Sequence, residues 1–502
     1  MDAVFTAFLG DLASRSLSFL IDKYSKKAEP TKEEKLDSLQ RLLLRVRVVV
    51  EEAGERHITN QAMLQQLSTL RKEMYRAYYT LDTYRCQGHK DDGDDQQVSR
   101  TFALSRFNTA KRILLSGDGA SKSHGINELK KVLWSLETAI SDANECIVFL
   151  SSCPRLCRQP YNMHLILEKC MFGRQMELQH VISFLLQTGR HGDDGPSVLP
   201  IIGPKRVGKS TLVEHACNDE RVREHFSQIV LYACNDIADE GVMSLRDGGV
   251  IKHQNCGFKG EQILIIVELD GDRFSENLNE GIVEVVWQRL YSTCKRQIPH
   301  GSKIIVTSRS DKIASFGTTP PLRLQVFSEE AYWYMFKVLT FGTMDAMDHP
   351  KLTSIAMDMA MVLKGCILAA NIFSGLLRSN VSIRFWSMVL TTLREFNRRN
   401  HGKICTHQVD SFPWELTVHI PKVSEYIVIH DDYQTSSGLA RGEAEAPMIT
   451  VVDVIFGHAR PQGIFDVLQW KSQLPPHYSY VLTCEIQRPK RVVARKKRIV
   501  QS

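Results

Sequence analysis

The run Gly203-Pro-Lys-Arg-Val-Gly-Lys-Ser-Thr211 follows the apolar stretch 198–202 and satisfies the pattern G-x-x-x-x-G-K-[ST] in full. The chemistry of such a run is phosphate binding. Gly203 and Gly208 let the backbone turn back, so that successive N–H groups converge on one spot. A helix beginning near Gly208 adds the positive end of its dipole there. Lys209 brings a mobile charge for the outer phosphates, and the Ser210 hydroxyl is suited to ligate Mg²⁺. The residues expected to hold phosphate are therefore Gly203, Val207, Gly208, Lys209, Ser210 and Thr211. The competing reading is a chance match in an ordinary strand, turn and helix, but strand, glycines, lysine and hydroxyl all agree.

Two further stretches fit the same chemistry. Glu268-Leu-Asp-Gly-Asp272 directly follows a strand ending at Val267. An acid at that strand end holds the Mg²⁺ water shell, and a second one polarises the attacking water. Glu268 or Asp270 suits the metal role, and the irregular order leaves the two roles unassigned. Gly301-Ser-Lys-Ile-Ile-Val-Thr-Ser-Arg309 ends another strand on a cation. Arg309 at that edge is placed to sense a terminal phosphate, the alternative being a surface ion pair. His430, Asp431 and Asp432 are adjacent, but nothing orients them, so a loop is the better reading.

These residues need a sheet beneath them. Strand candidates at 228–234, 262–267, 303–307 and 322–326 alternate with helical stretches, which predicts an α/β domain with a parallel sheet flanked by helices. A helix over 171–186 and a Gly/Asp linker over 189–196 lead into it. Upstream, residues 1 to about 150 read as helical. Pro30 separates a first helix (about 2–26) from a second (about 32–55). Met63, Leu67, Leu70, Met74, Ala77, Leu81 and Tyr84 then repeat at steps of four and three, a heptad stripe. A second stripe runs from Leu129 to Leu150. Between them, 87–127 reads as an exposed loop with a short helix around 101–115. Four such helices close into an antiparallel bundle. It either docks partners and itself, or simply buries its own stripes. Tyr75, Tyr78, Tyr79 and Trp134 read as packing residues.

Composition sets the outer bounds. The 502 residues suffice for about three domains, and 43% apolar with 24% charged residues is ordinary for soluble chains. The start Met1-Asp-Ala-Val lacks the features of a secretory signal or a myristoylation site. No apolar run has the length of a membrane span. The 12 scattered cysteines form no zinc pattern and read as reduced thiols. The net charge of +6 gathers partly in a basic tail over 488–498, which suits nuclear import or a solvated end. Nucleic-acid binding is not indicated.

At this point a resemblance emerges. Phe172-Gly-Arg174 resembles the V-x-G-R motif of the NB-ARC module in plant intracellular immune receptors of the coiled-coil class. The loop 203–211 is similar to that family's P-loop, and 301–309 to its sensor motif. Leu324–Phe336 resembles its L-S-x-x-E segment, and Lys364-Gly-Cys-Ile-Leu-Ala-Ala370 its G-L-P-L-A motif. The N-terminal bundle is similar to the family's Rx-type coiled-coil domain. The resemblance implies ADP or ATP with Mg²⁺ as ligands, adenine-side contacts from Phe172, Gly173 and Arg174, and metal held by Ser210 and, through water, Asp270. It implies, at most, a slow ATPase of the STAND class. Departures are plain: Glu268-Leu-Asp270 replaces paired Asp residues, Ile367 replaces the motif proline, and no M-H-D tripeptide occurs. Tyr and Arg take several positions of the acidic motif in the third N-terminal helix, so its docking contacts are expected to differ.

After about residue 401 the chain reads as short β segments at 416–420, 426–429, 449–456 and 478–484, with a polar loop over 431–445. The organisation expected is a four-helix Rx-type bundle (1–150), a linker with a leading helix (151–195), a P-loop domain (196–327), a helical subdomain (328–400) and a β-rich region with a basic tail (401–502). The function expected is an ADP/ATP-dependent switch in plant defence signalling, cytoplasmic or nuclear. It would bind immune receptors or signalling proteins, or itself, through 1–150. The alternative is an adaptor, helper or decoy that binds full-length receptors with little or no hydrolysis.

Overall fold

The computed structural model describes residues 31–88, 119–155, 172–187, 195–233, 250–254, 262–269, 281–399, 416–419, 425–436, 447–472 and 478–487. The expected first helix, the short helix at 101–115, Asp270 and the basic tail lie outside them.

The bundle is built by its stripes. Helix α1 (Lys32–Gly54) starts on a capping box, in which Thr31 accepts from the Glu34 N–H at 3.2 Å and the Glu34 carboxylate accepts from the Thr31 N–H at 2.8 Å. Helix α2 (Gln61–Gly88) carries the heptad stripe, and its members from Met63 to Leu81 are all buried. Helix α3 (Gly119–Asp142) begins well inside the stretch expected to be loop, since no proline interrupts it. The chain breaks at Ala143 and resumes as α4 (Asn144–Leu150), yet Ile140, Ala143, Ile147 and Leu150 stay buried across the break. Trp134 does not pack inward: it is 62% exposed.

After α5 (Gln175–Leu186) comes a six-stranded sheet in the order β3-β2-β4-β5-β1-β6. Its strands are β1 (Ser197–Ile202), β2 (Gln228–Ala233), β3 (Val250–Gln254), β4 (Ile263–Glu268), β5 (Lys303–Ser308) and β6 (Leu322–Arg323). Five are parallel. The exception is β3, antiparallel to β2 at the edge, in a stretch where no strand was expected. Strand alternation supplies both faces. Leu199, Ile201, Leu264, Ile266 and Ile305 pack with α5, α6 (Lys209–Cys217) and α7 (Glu220–His225). Val198, Ile202, Ile265, Val267, Ile304 and Val306 face α8 (Gly281–Gln297) through Trp287 and Leu290.

Helices α9 (Glu329–Phe341), α10 (Pro350–Leu363), α11 (Ile367–Ser379) and α12 (Ile383–Arg399) form a separate core around the fully buried Phe336, Ala370 and Trp386. Helix α9 also receives the bundle. Tyr75 and Tyr78 of α2 lie 5.1 and 5.0 Å from the Tyr334 ring. Beside them Asp82, 2% exposed, accepts from Trp333 Nε1 at 2.9 Å and pairs with Lys337 Nζ at 2.7 Å. Asp82, an acid of α2, thereby reaches α9.

The C-terminal part is a four-stranded antiparallel sheet, β7-β8-β10-β9, made of β7 (Leu416–His419), β8 (Tyr426–Ser436), β9 (Ile464–Lys471) and β10 (Tyr478–Gln487). Three expectations need correction. Segment 449–456 is not a strand: Val451–Phe456 is helix α13, closed at one end by a Thr450–Asp453 capping box and at the other by Gly457 at φ 84°. Residues 431–436 are not loop but continue β8 along β10. Strand β9 was not anticipated, because its apolar residues follow no strict alternation.

The architecture is thus an N-terminal helical bundle, a mainly parallel sheet with helices, a helical subdomain and a small antiparallel sheet.

Two outcomes follow from these cores. Asp82→Ala leaves Lys337 charged and the Trp333 N–H unmet in a buried place, so we expect a loss of about 3–5 kcal/mol in chemical denaturation. His215 of α6 has a buried Nε2 without a hydrogen-bond partner among the described residues, and burial lowers its pKa from 6.5 to about 4. A base depressed in the native state contributes stability that is present above pH 6.5 and is lost as the pH falls towards 4, by about 3 kcal/mol in all. Denaturation curves between pH 7.5 and 4 should show this limb in the wild type and a flatter one in His215→Leu.

Candidate phosphate-binding site

The site lies at the carboxyl ends of the parallel strands, where open α/β sheets leave a crevice. Strand β1 delivers the loop. Its last residue, Ile202, pairs with Ser308 of β5 and Arg323 of β6. The Gly203 N–H donates to the Ser308 carbonyl at 3.2 Å, and the Leu324 N–H donates to the Ile202 carbonyl at 2.8 Å. A Cβ at Gly203 would meet the Leu324 carbonyl oxygen at 2.9 Å, so only glycine lets the two backbones approach this closely.

The loop then turns through two left-handed residues, Arg206 at φ 62° and Gly208 at φ 96°, before α6 begins at Lys209. Positive φ at these points curls the chain into a concave row of N–H groups, a shape that receives anions. Lys209 is 4% exposed, and its ammonium donates to the Gly203 and Pro204 carbonyls at 2.9 and 3.1 Å. The lysine thereby closes the loop into a ring with a buried positive charge at its rim. Val207, 3% exposed, packs its Cγ1 close to Gly203 and supports the turn from below. Ser210 and Thr211 follow in the first turn of α6.

Register brings the neighbouring strand ends into one row. Glu268 of β4 pairs with Thr307 of β5, which pairs with Ile201 of β1. Glu268 therefore stands two strands from the loop, roughly 10 Å at ordinary strand spacing. Arg309, half-buried, leaves β5 one residue beyond the Ser308 carbonyl that binds Gly203. The sheet thus gathers 203–211, Glu268 and Arg309 at one edge. Asp270 lies outside the described residues. The buried Thr307 hydroxyl faces this row without a hydrogen-bond partner among the described residues.

The Phe172–Arg174 motif occupies a different wall. Gly173 takes φ 65°, and Phe172 joins the aromatic cluster, 5.0 Å from Tyr75 and 5.6 Å from Phe327. Arg174 stacks on Phe327 at 4.6 Å, pairs with Glu177 at 3.1 Å and donates to the Gln325 carbonyl. Opposite, Lys364 and Gly365 both adopt positive φ, and Gly365 lies against the Phe327 carbonyl. Ile367 opens α11 from there, while the Cys366 carbonyl accepts from the Tyr332 hydroxyl at 2.9 Å.

Sequence reasoning missed two residues. Tyr478 and Tyr480, at the start of β10, reach the phosphate loop from the C-terminal sheet. The Tyr478 hydroxyl shares a hydrogen bond with Ser210, and burial, then the nearby Glu268 and Glu214 carboxylates, push its pKa up. Tyr480 is raised chiefly by burial too, with the Arg206 guanidinium opposing. No motif announces either one.

The residues present fit a nucleotide's phosphates: a concave loop, a buried ammonium and a glycine cradle. The Ser210 hydroxyl, which also meets the Tyr478 phenol, keeps oxygen lone pairs that would suit Mg²⁺. No group of three metal-ligating side chains is found among the described residues. All described cysteines are thiols rather than disulfides, and no described helix is long and apolar enough to cross a membrane.

Comparison with known proteins agrees with the architecture. The model of the Rx N-terminal domain family matches residues 8–112. RPP13-like protein 1 of Arabidopsis thaliana, named for disease resistance, is 25% identical over 401 residues, covering 77% of this chain and 37% of the relative. Disease resistance protein RGA2 of Solanum bulbocastanum is 27% identical over 234 residues, 45% of this chain and 24% of its own length. Disease resistance RPP13-like protein 4 of Arabidopsis thaliana is 22% identical over 338 residues, 64% of this chain and 37% of its own length. The chain thus spans between 24% and 37% of these relatives. It carries an Rx N-terminal domain and is a distant homologue of the plant coiled-coil NB-LRR disease resistance proteins.

Proposed function

We propose that the protein is an ADP/ATP-dependent switch acting inside the cell in plant defence signalling. The observation that carries the reading is the phosphate loop itself, in which Gly203, Gly208 and the buried Lys209 form an anion cradle at the head of α6. The loop amides and Lys209 would bind the phosphates, while Thr211 and Val207 hold the loop's shape. Arg309, one residue past the Gly203 contact, would sense the terminal phosphate. Phe172, Gly173 and Arg174 would bound the adenine side, next to Phe327. A nucleotide seated there would touch both the sheet domain and the helical subdomain, so its phosphate number would bias their packing.

Helix α9 ties that packing to the N-terminal bundle through Asp82, Trp333 and Lys337. A shift of α9 would therefore alter how residues 31–155 are held, and with that their availability to signalling partners or a second copy. Hydrolysis is not required by this scheme. Glu268 is the described acid at the β4 end, two strands from the loop, and any turnover would be slow.

Denaturing the purified protein and separating the released small molecules should yield ADP or ATP. Lys209→Ala should lower occupancy by at least about tenfold, with the helical content unchanged by circular dichroism. Wild-type protein without nucleotide that still binds full-length receptors would favour the adaptor reading.

A further inference from the structure

The 172–174 turn is braced from outside the nucleotide module, by the N-terminal bundle. Phe172 packs against the bundle core and the helical-subdomain core at once, and so does Phe327. The Phe172 ring lies 5.0 Å from Tyr75 of α2 and 5.6 Å from Phe327, which meets it edge-on. On α9 the Tyr334 ring stacks with it at 5.9 Å. Gly173 adds to the tightness of the turn, because a Cβ there would meet the Phe327 ring at 3.3 Å.

Helix α2 reaches this turn twice from one face. Arg71 and Tyr75 stand one helical turn apart, and each is 7% exposed. Tyr75 gives its ring to Phe172, while Arg71 Nη1 donates to Gln175 Oε1 at 3.2 Å, at the first residue of α5. Both ends of the stretch 172–175 are thus held by a helix of another domain. The phosphate loop is held differently, by β5, by the segment after β6 and by its own Lys209.

On the nucleotide-binding reading above, we propose that Tyr75 is a positioning residue for the base. Together with Arg71 it fixes Phe172, so the adenine wall is complete only while the bundle is docked. Docking then tightens the grip on the base and leaves the grip on the phosphates unchanged. By linkage, a bound base favours the docked bundle to the same degree.

Calorimetry on the full chain, with ADP and with inorganic pyrophosphate, separates the two grips. Tyr75→Leu keeps an apolar side chain in the bundle but removes the ring. It should weaken ADP about fivefold, the size of one aromatic contact, with pyrophosphate affinity unchanged. Tyr75→Phe should restore most of the ADP affinity. In the wild type, ADP should slow amide hydrogen exchange over 71–79 of α2, and pyrophosphate should not. Undiminished ADP affinity in Tyr75→Leu, an equal loss for both ligands, or α2 exchange indifferent to ADP would overturn the role of Tyr75 and leave nucleotide binding intact. Wild-type protein that binds neither ligand would overturn both.

Discussion

The pairing of β1 with β5 on one side and β6 on the other is the contact on which the rest depends. It brings the Gly203 N–H to the Ser308 carbonyl and the Ile202 carbonyl to the Leu324 N–H. Through the first, Arg309 comes beside the phosphate loop; through the second, the segment leading to α9 does. The absence of a Cβ at Gly203 is what permits this approach, because a methyl group there would press on the Leu324 carbonyl. One glycine thus joins the loop, Arg309 and the helix that receives the bundle.

Around that junction the molecule has three layers of contact. Apolar packing fills both faces of the sheet and the stripes of the bundle. Aromatic rings from α2, the 172–174 motif and α9 meet in one cluster, Tyr75–Phe172–Tyr334, linking bundle to module. The Asp82 carboxylate then fixes the register of α2 on α9. Buried ionic contacts add little net stability but are costly to leave half-made. Their effect here is to specify one docked arrangement rather than a loose apolar association.

The C-terminal sheet changes the view of the site. Taken without it, the loop 203–211 and Arg309 belong to the parallel-sheet domain alone. With it, two half-buried tyrosines come close to Ser210 and Arg206. The acid at the β4 end, Glu268, lies near Tyr478 as well, so the chemistry of that corner is shared by two sheets distant in sequence.

The sequence alone determined the turn at 203–211 and the helix that follows it, because their shape depends on local backbone geometry that glycines and a helix start dictate. It determined the bundle stripes and the parallel strands for the same reason, since periods of 3.5 and two are local properties. It did not reveal β3, an edge strand with two apolar residues, or β9, whose apolar positions do not alternate. It misassigned 451–456, where a capping box outweighs a β-branched run. The loop at 431–436 became strand because β10 supplies its hydrogen bonds from about fifty residues away. Tyr478 against Ser210, and Asp82 against Trp333 and Lys337, were decided by tertiary structure alone. Each joins residues more than 250 positions apart, and no spacing within either segment encodes the partner's position.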